Sequence, residues 1–163
     1  MDHLAKQILK DVALEEIAPK TAHPSPGNPV DHWSPAILLE RAAYLKKMAR
    51  YGDGSARETL REYPQHRAML SFRSRTGEAE VHQHFADLFF VLAGAATLVT
   101  GGTVVHARTA EPGETRGDAI EGGARRELKA GEIAHVPPGQ PHQLLVEGEK
   151  TITCFVMKIK EGE

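Results

Sequence analysis

The sequence predicts a mostly-β domain that follows an α-helical N-terminal extension. Residues 3–17 and the stretch after Ser34 repeat apolar side chains at helical spacing. From Arg67 onward the pattern changes, because apolar and polar residues alternate with a period of two between glycine and proline turns. We therefore expect the helical extension to occupy residues 1–60 and the β-domain to occupy residues 61–163.

The extension is predicted to contain two amphipathic helices joined by an extended connector. The first helix covers residues 3–17, with Asp2 as its N-cap. Residues 18–33 hold four prolines, which favour an extended chain. The second helix starts with Ser34 as N-cap and Pro35 as its first residue. Its apolar stripe consists of Leu38, Ala42, Leu45 and Met48. We expect the helices to pack on the outside of the β-domain or across a subunit interface.

The first half of the β-domain shows three strand signals. Leu70 and Phe72 alternate with polar neighbours and indicate an early strand. Residues 88–93 form an uninterrupted apolar run, which indicates a strand buried on both faces. Residues 96–100 continue as a strand into a glycine pair at 101–102, which predicts a hairpin.

The second half of the β-domain begins with a polar, glycine-rich segment at residues 109–124. We interpret this segment as a loop insertion rather than a lid over a pocket, because loops tolerate added length at little cost. Residues 133–136 indicate a strand that ends at a Pro-Pro-Gly turn. Residues 143–146 and 151–158 are predicted to be the closing strands.

Composition excludes several classes of protein. The 163 residues are 40% hydrophobic and 26% charged, as in a soluble globular protein. A net charge of −2 without a basic cluster predicts neither a nucleic-acid partner nor a membrane partner. The single cysteine, Cys154, excludes an internal disulfide. The N-terminus lacks the apolar core of a secretory signal, so we expect a cytoplasmic chain.

Metal-ligand side chains are concentrated between residues 77 and 94. His82 and His84 are two positions apart, so on an extended strand both imidazoles leave the same face and can bind one metal ion. Asp87 supplies a carboxylate three residues later. Glu80 shares the face of His82, where it is either an acid–base group beside the ligands or an exposed strand residue.

A third histidine, His142, follows the turn at residues 137–139 and is presented at the start of a new strand. The predicted metal ligands are His82, His84, Asp87 and His142. Three imidazoles and a carboxylate suit one Fe, Mn, Ni or Zn ion and leave positions for water or substrate. The alternative for Asp87 is a turn residue that accepts hydrogen bonds from nearby backbone N–H groups.

These residues resemble the two motifs of the cupin family. The first motif is matched by Gly77, His82, His84, Asp87 and Gly94 in that order. The second is matched by Gly131, Pro137, Gly139 and His142. Asp87 stands where the family has glutamate, two spacings are one residue shorter, and Val146 stands where the family has asparagine.

The resemblance implies a cupin-type double-stranded β-helix, a jelly-roll barrel, that binds one divalent transition-metal ion per chain. It also points to a homodimer, as do the apolar faces of the helices and early strands, which exceed what one small barrel covers. For function it implies a metal-dependent oxygenase, oxidase or isomerase that acts on a small polar organic molecule. The alternative is a non-enzymatic domain that binds a small ligand or a metal and senses or stores it.

Overall fold

The computed structural model describes residues 30–162. The predicted helix over residues 3–17 and most of the connector over residues 18–33 lie outside the described residues. Helix α1 spans Pro35–Ala49. The strands are β1 (Ser55–Glu62), β2 (His66–Arg73), β3 (Ala79–His82), β4 (Phe85–Thr100), β5 (Thr103–Val105), β6 (Arg108–Glu111), β7 (Glu114–Gly117), β8 (Ala119–Glu121), β9 (Ala124–Lys129), β10 (Ile133–Val136), β11 (His142–Leu145) and β12 (Ile152–Lys160).

Helix α1 begins where the sequence predicts the second helix. The Ser34 side chain accepts a hydrogen bond from the Ile37 N–H at 3.3 Å, and Pro35 occupies the first turn, where a missing N–H costs nothing. The helix buries one side against strands β1 and β2. This contact contains Leu38, Ala42, Leu45 and Ala49 of the helix and Leu60, Ala68, Leu70 and Phe72 of the strands. The prediction of this helix is confirmed.

Among the described residues, ten strands form a curled antiparallel sheet in the order β1-β2-β12-β4-β11-β3-β7-β6, with β9 and β10 also paired to β4, and β5 and β8 form a separate two-stranded sheet. Strand β4 belongs to both halves of the barrel. Its first half pairs with β10 and β12, and its second half pairs with β9 and β11. Between them lies Gly94, at φ 76°, where a Cβ would overlap the carbonyl oxygen of Thr151. Glycine therefore lets β4 bend and close the barrel.

The barrel interior is lined by alternate residues of neighbouring strands. The interior apolar core consists of Met69, Phe89, Val91, Ala96, Leu98, Leu128, Val136, Leu144, Val146, Ile152, Cys154 and Val156. The prediction of a mostly-β barrel is confirmed. Within residues 30–162, no helix is both long and apolar enough to cross a membrane.

Four local predictions differ from the structure. The glycine pair at 101–102 does not make a hairpin, although both glycines have φ 73°, because β5 pairs with β8 whereas the end of β4 pairs with β9 and β11. Residues 109–124 are not a plain loop insertion, because they contain strands β6, β7 and β8. Residues 88–93 are not buried on both faces, since Phe90 is 40% exposed. Strand β1, which the sequence analysis missed, crosses the expected boundary at residue 60.

Candidate metal centre

Three strands bring a cluster of buried ionisable side chains together inside the barrel. Glu80 and His82 alternate on β3, so both point to one face. His142 is the first residue of β11 and pairs directly with Glu80 across the two strands. Asp87 lies near the start of β4. His82, Asp87 and His142 are each at most 3% exposed, which makes every unpaired polar atom among them costly.

Four ligand-type atoms of these residues converge within 4.8 Å of one another. The Nε2 atom of His82 lies 3.3 Å from Asp87 Oδ2 and 3.3 Å from Glu80 Oε2. The Nε2 atom of His142 lies 3.4 Å from the same Asp87 oxygen and 3.8 Å from the same Glu80 oxygen. Ligand atoms about 2.1 Å from one tetrahedral ion stand about 3.4 Å apart. The spacing of the cluster therefore fits a single divalent ion.

Hydrogen bonds outside the cluster fix the orientation of both imidazole rings. His82 Nδ1 lies 2.5 Å from Glu114 Oε2 on β7, and His142 Nδ1 lies 3.1 Å from the Gln140 carbonyl oxygen. Carbonyl and ionised carboxylate oxygens accept hydrogen bonds and do not donate them. We therefore infer that the Nδ1 atoms of His82 and His142 carry the protons and donate these hydrogen bonds. Each Nε2 atom is then directed into the cluster. Among the described residues, neither Nε2 has a hydrogen-bond partner. Buried nitrogens in this state are what a metal ion satisfies.

Two cations hold the outer oxygens of the cluster carboxylates. Lys158 Nζ lies 2.9 Å from Asp87 Oδ1, and the two residues are direct neighbours across β12 and β4. Arg116 on β7 lies 3.0 Å from Glu80 Oε1 and 3.4 Å from Glu114 Oε2. These contacts are ion pairs at short distance rather than well-aligned hydrogen bonds. Asp87 and Glu80 thus each direct one carboxylate oxygen to a cation and the other to the two imidazole rings.

The charged groups of the cluster shift one another's pKa values toward their ionised forms. Burial raises the pKa of Asp87, but His142, His82 and Lys158 outweigh burial and hold this pKa well below its usual range. Burial also raises the pKa of Glu80, yet His82, Arg116 and His142 lower it to about 2. Burial lowers the pKa of His82, whereas Asp87 and Glu80 raise it to about 9. Both carboxylates are therefore ionised, and a proton and a metal ion compete for His82 Nε2.

The structure does not bring His84 into the cluster. Strand β3 ends at His82, and Gln83 and His84 form the bend before β4 starts at Phe85. The two imidazoles therefore do not leave one face of an extended strand, as the spacing had predicted. His84 is exposed, and its ring lies beside Gly113, at the turn between β6 and β7. Glu80 occupies the place in the group that the sequence analysis had given to His84.

Three residues that support the site were missed by sequence analysis, namely Glu114, Arg116 and Lys158. The first two alternate on β7, inside the segment that had been interpreted as an insertion. Lys158 could have been found, because it continues the alternation of Cys154 and Val156 and so occupies an interior position of β12. A lysine at an interior position indicates a buried partner of opposite charge.

The cluster borders a cavity with two parts. The inner chamber is lined by the cluster residues Glu80, Asp87 and His142, by Lys158, and by the apolar residues Met69, Phe89, Leu144 and Val156. It holds about 600 Å³ of empty space, including solvent at its mouth. The outer vestibule shares Arg57, Ser71, Arg73, Gly77, Glu78 and Glu80 with the chamber and adds Asp53, Arg75, Thr76 and Arg116. The vestibule holds about 1060 Å³ of empty space, including solvent at its mouth.

Comparison with known proteins gives a likeness of fold at low sequence identity. No protein-family model matches the sequence, and no curated protein sequence matches it. The structure of TT1209 from Thermus thermophilus is 18% identical, with a TM-score of 0.50 over 72% of this chain and 95% of that chain. A protein with a double-stranded β-helix domain from Klebsiella pneumoniae is 20% identical, with a TM-score of 0.49 over 65% of this chain and 76% of that chain.

A third similar structure is the polyketide cyclase RemF from Streptomyces resistomycificus, 16% identical, with a TM-score of 0.48 over 66% of each chain. The curled antiparallel sheet in this chain has the strand order described above, and β4 is shared by its two halves. The two sequence motifs supply residues that this sheet brings together around one cluster. The chain has the cupin fold, a double-stranded β-helix barrel.

Proposed function

We propose that this chain is a metal-dependent enzyme that acts on a small polar organic molecule, with one divalent transition-metal ion bound by Glu80, His82, Asp87 and His142. The observation that carries the proposal is the pair of buried Nε2 atoms without a hydrogen-bond partner, directed at two ionised carboxylates. Such a set satisfies a cation and leaves part of its coordination sphere to the chamber.

The ligand set favours particular metals. Two imidazoles with one or two carboxylates match the two-histidine, one-carboxylate set of non-haem Fe(II) sites, a set that catalytic zinc also accepts. Mn(II) also prefers oxygen donors of this kind. We therefore place Fe and Mn before Ni and Zn among the four metals. When bound, such an ion supplies Lewis-acid polarisation of a substrate oxygen or activation of dioxygen.

The chain's own residues prepare the site for chemistry. Glu114 and the Gln140 carbonyl hold the imidazole rings, while Lys158 and Arg116 hold the carboxylates. The apolar wall of the chamber limits water around the cluster, so charges inside it interact strongly. Glu80 is the most exposed cluster residue, with its side chain 20% exposed. Its pKa of about 2 keeps it ionised, so a bound molecule meets it as a carboxylate ligand and not as a proton donor.

Metal titration tests the proposal. Protein stripped with chelator and titrated under argon with Fe(II) or Mn(II) should bind one ion per chain. His82→Ala should weaken binding by far more than about 100-fold, since it removes a ligand. His84→Ala is the matched control and should bind as the wild type does, because His84 lies outside the cluster. Wild-type protein that binds neither Fe(II), Mn(II), Ni(II) nor Zn(II) would refute the metal site.

Enzymatic activity and simple ligand binding are separated by a further measurement. Native mass spectrometry of the purified protein identifies any small molecule that stays with the metal. An enzyme should convert such a molecule when the metal is restored, whereas a sensing or storage domain should release it unchanged. We also propose that the chain is a cytoplasmic homodimer.

A further inference from the structure

Four arginine side chains line the outer vestibule, and three of them, Arg57, Arg73 and Arg75, have no carboxylate partner among the described residues. Strands β1 and β2 place Arg57 opposite Ser71, and Arg73 lies two residues further along β2, on the same interior face as Met69. Within residues 30–162, neither the Arg57 nor the Arg73 guanidinium makes an ion pair or a hydrogen bond with a carboxylate. Arg57 and Arg75 are exposed, whereas Arg73 is half-buried.

The acidic residues of the vestibule already have partners. Glu78 is paired with Arg108, and Glu80 is paired with Arg116. Asp53 accepts hydrogen bonds from the backbone and the hydroxyl of Ser55 at 3.0 Å and 2.7 Å. The positive field of Arg73 reaches Asp53, but no direct contact joins them among the described residues. The arginines are therefore available to an anion that enters from solvent.

Gly77 gives the Arg73 guanidinium its position. A Cβ at Gly77 would lie 2.5 Å from Arg73 Nη1 and 2.8 Å from its Cζ. The guanidinium therefore packs across the bare backbone of this glycine, at the passage from vestibule to chamber. Gly77 does not have a positive φ, so the absence of a side chain, and not backbone strain, is what this position needs.

The chamber beyond the arginines has an apolar wall formed by Met69, Phe89, Leu144 and Val156. Besides the cluster residues, its polar lining includes Ser71, Gln143 and Lys158. We infer that the ligand of this site is a small organic acid, whose anionic group lies between Arg57 and Arg73 and whose short apolar body extends toward the cluster. For the end of the ligand that would react, this inference rests on the proposed function. For the acidic end of the ligand, it rests only on the arginines of the vestibule.

Binding of butanoate to Zn(II)-loaded protein, followed by NMR or calorimetry, tests the inference. Butanamide is the neutral isostere, and inorganic phosphate is an anion without an apolar body. Butanoate should bind more tightly than either by about tenfold or more, since bonds between charged groups and burial of methylenes both add affinity. Equal binding of butanoate and butanamide, or of butanoate and phosphate, would overturn the inference.

Variants test the contribution of the arginines to butanoate binding independently of the metal ligands. Arg73→Met should weaken butanoate binding about tenfold or more, whereas Arg126→Met, at an exposed arginine outside the cavity, should leave it unchanged. Gly77→Ala keeps both arginines but displaces the Arg73 guanidinium, and it should weaken butanoate binding too. Butanoate affinity that is insensitive to both Arg73→Met and Gly77→Ala would refute the anion site.

Metal titration of the same samples distinguishes this inference from the proposed function. Arg73→Met should retain wild-type metal affinity, because Arg73 is not in the cluster. If the protein binds metal but its butanoate affinity does not depend on Arg73, the organic-acid inference is refuted and the metal site is not affected. Protein that binds no metal but shows arginine-dependent butanoate binding would refute the metal centre and support the anion site.

Discussion

Asp87 is the residue on which the cluster depends most. It is 3% exposed, and its two oxygens serve different partners: one faces His82 and His142, and the other faces Lys158. A turn residue that caps backbone N–H groups, the alternative that the sequence left open, would be directed differently. The buried carboxylate balances the charge of Lys158 whether or not a metal is present.

Replacement of Asp87 therefore tests the ligand set directly. Asp87→Asn preserves shape but removes the charge, and it should lower metal affinity well beyond the roughly 10–100-fold expected of a residue behind the ligands. Asp118→Asn, at an exposed aspartate on the barrel surface, is the control. A competition titration with a chromogenic chelator measures the metal affinity of both variants. Wild-type affinity in Asp87→Asn would remove Asp87 from the site.

Sequence alone could predict part of this cluster for physical reasons. His82, Asp87 and His142 stood in motifs whose turns fix where each side chain emerges, and the structure brings these three together. His84 was grouped with His82 because a period of two was assumed beyond the residue where β3 ends. Strand ends depend on pairing with distant strands, so local spacing does not define them.

Among the elements, β7 shows how a supporting strand escapes prediction. It is four residues long, too short for alternation to be recognised, and its pairing with β3 joins segments that are far apart in the sequence. Turn-forming glycines on both sides gave the segment the composition of a loop. Its Glu114 and Arg116 nevertheless contact the cluster, so this strand supports the candidate ligands His82 and Glu80.

The role of β7 predicts the behaviour of Glu114. Glu114→Ala removes the acceptor that orients His82, so the ring can rotate and its tautomer is no longer fixed. Metal affinity should fall about 10–100-fold, less than in His82→Ala, with the fold retained. Glu121→Ala is the control: Glu121 is exposed on β8, which pairs with β5 and not with β7, so this variant should have no effect. An unchanged affinity in Glu114→Ala would make the β3–β7 contact purely structural.

At the scale of the whole molecule, the two faces of the sheet make different contacts. The interior face carries the apolar core, the candidate metal ligands and the arginines of the vestibule. The exterior face of β1 and β2 is covered by α1. Alternation along each strand predicted this division for most core residues, because it depends only on the period of two. It could not predict which exterior surface remains uncovered, since that depends on how far one helix reaches.

An uncovered apolar pair marks the surface proposed for the dimer. Phe90 on β4 and Ile133 on β10 are direct cross-strand neighbours, so their side chains lie on the same exterior face. They are 40% and 59% exposed, and burial of both in a twofold interface would remove apolar area from water in each chain. We expect the wild type to sediment as a dimer at micromolar concentration.

The double variant Phe90→Ser with Ile133→Thr should shift sedimentation toward the monomer by weakening association about tenfold or more, since two large apolar side chains are lost from each chain. Leu39→Gln is the control, because Leu39 is 43% exposed but lies on α1. Circular dichroism should show the same β-rich fold in all three proteins. If Leu39→Gln dissociates the dimer and the double variant does not, the helix forms the interface. A wild type that is monomeric at these concentrations would refute the dimer itself.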